Sequence, residues 1–217
     1  MREINLLSKL PAATRNVAAR AAAKSPEVIK IARQYGQAYF DGAREYGYGG
    51  YRYDGRWIPV AEDMVRHFGL RPGDRVLDVG AAKGFLVKDL MKVCPGLEAF
   101  GLDISEYALK HCEPDVVGRL HLGNAVSLPF PDESFQAVIS INTIHNLERP
   151  DAIRALREIE RVAPGRGYVQ VDSYRTADER GLFLGWVLTA KFHDYPEGWR
   201  GVFAEAGYTG DYYWTFV

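Results

Sequence analysis

Val76-Leu77-Asp78-Val79-Gly80-Ala81-Ala82-Lys83-Gly84-Phe85 is the stretch from which the fold of this chain can be read. Arg75 to Val79 reads as a buried strand, and it runs into a loop of small residues that opens a helix. Small residues let the backbone approach a ligand closely, and the helix start offers free N–H groups to an anion. Nineteen residues past Gly84, a second apolar run ends in Gly101-Leu102-Asp103-Ile104. An acid in that place can accept both ribose hydroxyls of a nucleoside. Gly123-Asn124-Ala125 then follows a third strand, beside the crevice where an adenine would lie. A tight turn with no ligand would explain the first element alone, but not three in this order. The dinucleotide fingerprint G-x-G-x-x-G is excluded, because Ala82 stands at its second glycine and Phe85 at its third.

Outward from that stretch, apolar runs alternate with helical patterns from about Trp57 onward, as in repeated strand–helix units. Strands are expected at Ala99 to Leu102, Arg119 to Leu122, Ala137 to Ile141 and Gly167 to Val171. Helices are expected at Ile58 to Phe68, Gly84 to Val93, Glu106 to His111 and Asp151 to Arg161, and another from Pro196 closed by Gly207. Tyr208 to Phe216 alternates and is rich in aromatic residues, like an edge strand or hairpin. Upstream, Ser25-Pro26-Glu27 is a helix start, and the spacing of Val28, Ile31, Ala32 and Tyr35 predicts one helix to about Tyr39. Leu182 to Ala190 reads as a buried helix or a dimer face. The fold is therefore α/β, a mostly parallel sheet flanked by helices.

The pattern resembles the class I S-adenosylmethionine (SAM) methyltransferases, especially the small ubiquinone/menaquinone-biosynthesis-like (type-11) group. Val76 to Gly84 resembles V-L-D-x-G-x-G-x-G, and Gly123-Asn124-Ala125-Val126-Ser127-Leu128-Pro129-Phe130 resembles G-D/N-A-x-x-L-P-F. Asp103 stands between them, and the likeness runs on to Pro164-Gly165. Two departures are Ala82, where glycine is usual, and Asn124, where aspartate is common. The resemblance implies a Rossmann-like fold with a seven-stranded sheet, and SAM as cofactor with S-adenosylhomocysteine (SAH) as product. It implies that Gly80, Ala81 and Gly84 face the methionine end and ribose of SAM and that Asp103 holds the ribose hydroxyls. Ile104 would pack on adenine, Asn124 and Ala125 would read its edge, and Asn142 would line the methionine side. Asp78 would stay under the loop, fixing its amides or a water near the cofactor's amino group.

Methyl transfer asks the protein for alignment and, for a hydroxyl or amine acceptor, a base. Asn142-Thr143-Ile144-His145-Asn146 follows the fourth strand, which makes His145 the first candidate for that base. His193 before the last helix is a second, remoter one. Tyr174 and Asp172, after the fifth strand, are acceptor-side candidates at the edge where ligands gather in such sheets. Tyr46 to Trp57 interleaves four tyrosines with four glycines and two arginines. Small methyltransferases of this type place an N-terminal lid over the cofactor, and this segment looks like one. Tyr48, Gly50 and Tyr51 are its candidate contacts, and Arg52 and Arg56 could pair with an anionic acceptor. The expected division is residues 1–56 as helical arm and lid, and 57–217 as the SAM-binding domain.

Composition bounds the rest. Of 217 residues, 47% are hydrophobic and 25% charged, enough for a full core, and 27 Lys and Arg against 28 Asp and Glu give a net charge of −1. No chain-wide basic footprint for nucleic acid exists. The two cysteines, Cys94 and Cys112, form neither a disulfide framework nor a metal-ligand spacing, so a reduced, cytoplasmic setting without a metal is expected. The expected activity is methyl transfer to an oxygen or nitrogen of a small, anionic or sugar-type acceptor, by a monomer or homodimer. Two alternatives remain open at this point. An RNA or protein methyltransferase would need the basic first 33 residues, with seven Lys or Arg against two acids. A non-catalytic SAM-binding scaffold or sensor would keep the pocket without turnover.

Overall fold

Six parallel strands form one sheet in the order β3-β2-β1-β4-β5-β6 in the computed structural model of the chain, which describes residues 1–11 and 15–216. They are β1 (Arg75–Val79), β2 (Glu98–Asp103), β3 (Leu120–Leu122), β4 (Ala137–Ile141), β5 (Gly167–Ser173) and β6 (Asp211–Phe216). Parallel strands need covering on both faces, and the helices supply it. On one face α4 (Ile58–Phe68) and α5 (Phe85–Val93) pack Val60, Met64, Leu86 and Leu90 against Val76, Ala99 and Ile139. On the other, α7 (Arg149–Val162) and α9 (Pro196–Ala206) pack Leu156, Ile159, Trp199 and Phe203 against Leu77, Val79, Val169 and Trp214.

The strand order reverses between β1 and β4, so a crevice opens at their carboxyl ends. β1, buried from Val76 to Val79, pairs with β2 from Arg75↔Glu98 to Val79↔Leu102, which brings the Gly80 loop level with Asp103. Above this edge lie α1 (Val17–Ala23), α2 (Pro26–Ala32) and α3 (Gln37–Asp41), with α6 (Glu106–Lys110) beside β2 and α8 (Ala177–Trp186) after β5. The first residues run along β6: Ile4 N–H donates to Tyr212 O at 2.9 Å, and Tyr212 N–H to Arg2 O at 3.0 Å. That arm shields part of an edge strand that would otherwise offer free backbone groups.

Three sequence expectations need correction. The described residues form six strands rather than seven, because Tyr208 to Phe216 supplies a single strand parallel to β5. The helix expected from Val28 to Tyr39 is two helices, since Tyr35 takes a left-handed φ of 49° and Gly36 reopens the chain as the N-cap of α3. The helix expected over Leu182 to Ala190 ends at Trp186. Phe183, Leu188 and Ala190 are buried, while Leu182 and Leu184 face outward.

Candidate functional site

The loop after β1 is held by its own backbone and by one carboxylate. Gly80 and Ala81 donate their N–H groups to Leu102 O at 2.7 and 3.1 Å, and Gly84 donates to Ala81 O at 2.8 Å. Ala82 N–H donates to Asp103 Oδ2 at 2.7 Å, and Ser105 N–H to Asp103 Oδ1 at 2.8 Å. The second acidic strand end therefore fixes the first loop, while its remaining lone pairs stay open to hydroxyl donors. Glycine is required at two points. Gly80 has φ +88° and a Cβ there would strike the Thr143 side chain; Gly84 has φ +78° and its Cβ would lie 2.7 Å from Val116 Cγ2.

A cleft of about 350 Å³ opens over this loop. Its floor includes Gly80, Ala82, Asp103 and Ile104, and Ile104 is 56% exposed, an apolar surface free to take a flat ring. Asn124 and Ala125 line one end, where Asn124 Oδ1 accepts Val126 N–H at 3.1 Å and leaves the amide NH₂ to face a ligand. Asn142 and Thr143 line the β4 side, and Tyr35, Tyr39 and Tyr48 form the roof. Tyr35 (φ 49°), Ala82 (φ 49°) and Asn142 (φ 54°) all adopt left-handed backbone, and all three line the cleft. Strain of this kind collects where a ligand must be met.

Electrostatics separate two carboxylates. Burial, and then the charge of Asp103, pushes Asp78 up to about 7 from its ordinary 3.8. Asp78 lies under the loop and only 5% exposed, but the amides it was expected to hold are taken by Asp103 and Leu102 O. Asp103 is also raised by burial, an effect opposed by the amides of Ser105, Ala82 and Ile104. Burial raises Tyr35 to about 12, so its phenol stays neutral.

Of the expected cofactor residues, Gly80, Asp103, Ile104, Asn124, Ala125, Asn142 and Tyr48 line the cleft together. Ala81 and Gly84 shape the loop from behind it. Gly50 is exposed and Tyr51 stacks on Phe85 (centroids 4.5 Å apart, planes at 14°); neither lines the cleft. His145 is buried and stands outside the cleft lining: its Nδ1 accepts Asp172 N–H at 3.1 Å, and its carbonyl accepts the amides of Lys191 and Phe192. Burial holds His145 below its ordinary 6.5, against the pull of Asp172, so the ring is neutral with its proton on Nε2. Tyr174 is buried too, with its hydroxyl 3.0 Å from His193 Nδ1. Arg56 is paired with Asp54 and Arg52 is exposed, both away from the cleft.

Sequence reasoning missed Tyr35, Tyr39, Arg33 and Lys191. The first two carry helix spacing and read as core; the only signal against that reading is Gly36, which breaks the helix between them. Arg33 donates to Ala190 O at 3.0 Å, and Lys191 makes no ion pair among the described residues. Also among the described residues, no group of three or more His, Cys, Asp or Glu could hold a metal, and no helix is long and apolar enough to cross a membrane.

Comparison with known proteins agrees with this geometry. Residues 77–171 match the family described as a methyltransferase domain. The chain is similar to the demethylmenaquinone methyltransferase of Symbiobacterium thermophilum, 32% identical over 61% of this chain and 57% of that one. It is also 30% identical to the 2-methyl-6-phytyl-1,4-hydroquinone methyltransferase of Synechocystis, over 72% of this chain and 54% of the other. The chain thus spans about half the length of the curated relatives it matches. A Haloferax volcanii structure, a complex of the Trm112 methyltransferase activator with a methyltransferase, shares the fold. Its TM-score is 0.56 at 20% identity, covering 90% of this chain and 77% of that one.

Proposed function

We propose, from the class I SAM-dependent methyltransferase domain that this chain contains, that the protein transfers a methyl group to a small hydroxylated aromatic molecule. One observation carries the cofactor half of this reading: a single cleft gathers Gly80, Asp103, Ile104, Asn124 and Asn142. These residues fit SAM by their chemistry. Asp103 offers acceptors to two ribose hydroxyls, Ile104 an apolar surface to adenine, and Asn124 an amide to its edge. When bound there, SAM supplies a methyl group on a cationic sulfur. The acceptor atom would bond to that methyl carbon as the C–S bond broke, with the electron pair left on sulfur and SAH as the leaving group.

The acceptor half rests on the roof. Three tyrosine rings favour a flat ring over a sugar, and Arg33 with Lys191 gives an anionic substituent two cations to meet. Two relatives named for hydroquinone or menaquinone methylation support a ring acceptor, with the nucleophile an oxygen or a carbon activated by it. Glu148 and Asp151 are the carboxylates on the acceptor-side wall and offer a sink for the hydroxyl proton. We assign His145 to holding the junction of Asp172 and Lys191 rather than to proton transfer. The test is SAH release from SAM across panels of hydroquinones, phenolic acids and sugars. Turnover with the ring compounds, lost in Tyr48→Ala, supports the reading. Tight SAH binding with no turnover on any panel would replace it with a SAM-binding scaffold.

A further inference from the structure

Lys83 is an unusual residue for a cofactor loop, a charged side chain only 7% exposed. Its ammonium points away from the cleft and into the lid. Nζ donates to both carboxylate oxygens of Asp41, at 2.9 and 2.7 Å, and to Tyr51 O at 3.0 Å. Asp41 is the last residue of α3. Its carboxylate also accepts Tyr107 Oη–H from α6 at 2.7 Å and Tyr51 N–H at 3.2 Å. Four segments meet at this one ion pair: the lid helix, the glycine-rich lid segment, the cofactor loop and the helix that follows Asp103.

The two sides of the pair differ in freedom. Lys83 sits on a loop bonded into β2 through Leu102 O and Asp103, so it moves only with the sheet. Asp41 is followed by Gly42, Gly47, Gly49 and Gly50; Gly49 and Gly50 have φ of +71° and +107°, and Gly50 has open space around it. A ligand lying between Asp103 below and Tyr35, Tyr39 and Tyr48 above is covered by that roof and leaves more freely when it lifts. Opening separates the lid from Lys83 and leaves its buried ammonium without its carboxylate partner, while the more exposed Asp41 meets water.

We infer that Lys83 and Asp41 form a latch that closes the lid over the bound cofactor, which makes both of them positioning residues for cofactor retention. The inference rests on the SAM reading of the cleft. Lys83 reports closure directly to the loop that holds the ligand, because its neighbour Ala82 is the residue whose amide fixes Asp103.

The test compares wild type with Asp41→Asn, Lys83→Met and the charge-preserving Lys83→Arg, using SAH as probe. SAH dissociation is timed by stopped flow, and amide hydrogen exchange is read separately for residues 37–51 and for β1, β4 and β5. The expected result is dissociation at least about tenfold faster in Asp41→Asn and Lys83→Met, with near wild-type behaviour in Lys83→Arg. Exchange should rise in the lid alone. Unchanged dissociation rates in both charge-removing variants would overturn the latch, as would exchange rising equally in the strands, the mark of a general loss of stability. Failure of wild type to bind SAH would overturn the SAM reading itself, a result separable from either.

Discussion

The floor and the roof of the cleft are made of different materials. The floor is backbone: loop amides bonded to Leu102 O, two glycines at positive φ, and a carboxylate that braces the loop while facing the ligand. The roof is side chain: rings of Tyr35, Tyr39 and Tyr48, tied down by an ion pair and by Tyr35 O accepting from Ser105 Oγ. A backbone floor tolerates almost no change of shape at its contact points, because a single Cβ has nowhere to go. A ring roof can repack, and its residues can vary in number and kind while still covering the same ligand. The difference teaches that the floor of the cleft is set by backbone geometry and its roof by side-chain surface.

The largest effect expected from this contrast is at Gly80. Gly80→Val places a branched side chain on Thr143 at a left-handed φ, and SAH affinity measured by calorimetry should fall beyond detection. Retention of micromolar binding would mean the floor is softer than its hydrogen bonds imply. Next is the pH behaviour of Asp78. Its pKa is raised in the fold, so the stability it contributes is present near pH 4 and is lost as pH rises through about 7. On the order of 3–4 kcal/mol is the ceiling for that loss. Ligand-free wild type should lose melting temperature between about pH 4 and 7 relative to Asp78→Asn, and SAM, being cationic, should oppose the trend. Parallel melting curves for the two proteins would place the Asp78 carboxyl outside the electrostatics of the floor.

Asp103→Ala removes one partner of the Ala82 and Ser105 amides as well as the proposed ribose contact, and should cost ~1–3 kcal/mol of SAH affinity. The matching change in the roof, Tyr48→Phe, should leave SAH affinity within about threefold while altering acceptor KM, since the ring keeps its packing on Tyr51 without the hydroxyl. Equal losses from the two variants would erase the distinction between floor and roof. The smallest effect belongs to Ala82→Gly, which relieves a left-handed alanine but adds unfolded-chain entropy; denaturant titration should find it within ~1 kcal/mol of wild type, on the stabilising side.

The sheet was legible because each strand is a short apolar run bounded by turn residues, and β4 is found where Ala137 to Ile141 predicts it. Asp103 was legible because its spacing from Gly84 follows from one helix and one strand laid end to end. The roof was not. Tyr35 and Tyr39 share a helical period with Val28 and Ala32, and nothing local announces that Tyr35 would turn left-handed and present its ring to a cleft. The surroundings of His145 were hidden for a different reason. Its position after β4 is where a base would stand, but a side chain in a tight 3-10 turn (Ile144–Asn146) points by packing, and it packs toward the Asp172 amide.

From the sequence alone came the parallel α/β sheet, the small-residue loop after β1 and the acid beside it at the end of β2. These follow from local rules of period, turn chemistry and spacing, each confined to a few dozen neighbouring residues. Only the tertiary structure decided which rings form the roof, that Lys83 turns to Asp41, and that His145 Nδ1 takes the Asp172 amide. Those outcomes depend on contacts such as Lys83 with Asp41, 42 residues apart, whose energies are set by burial that no local pattern encodes.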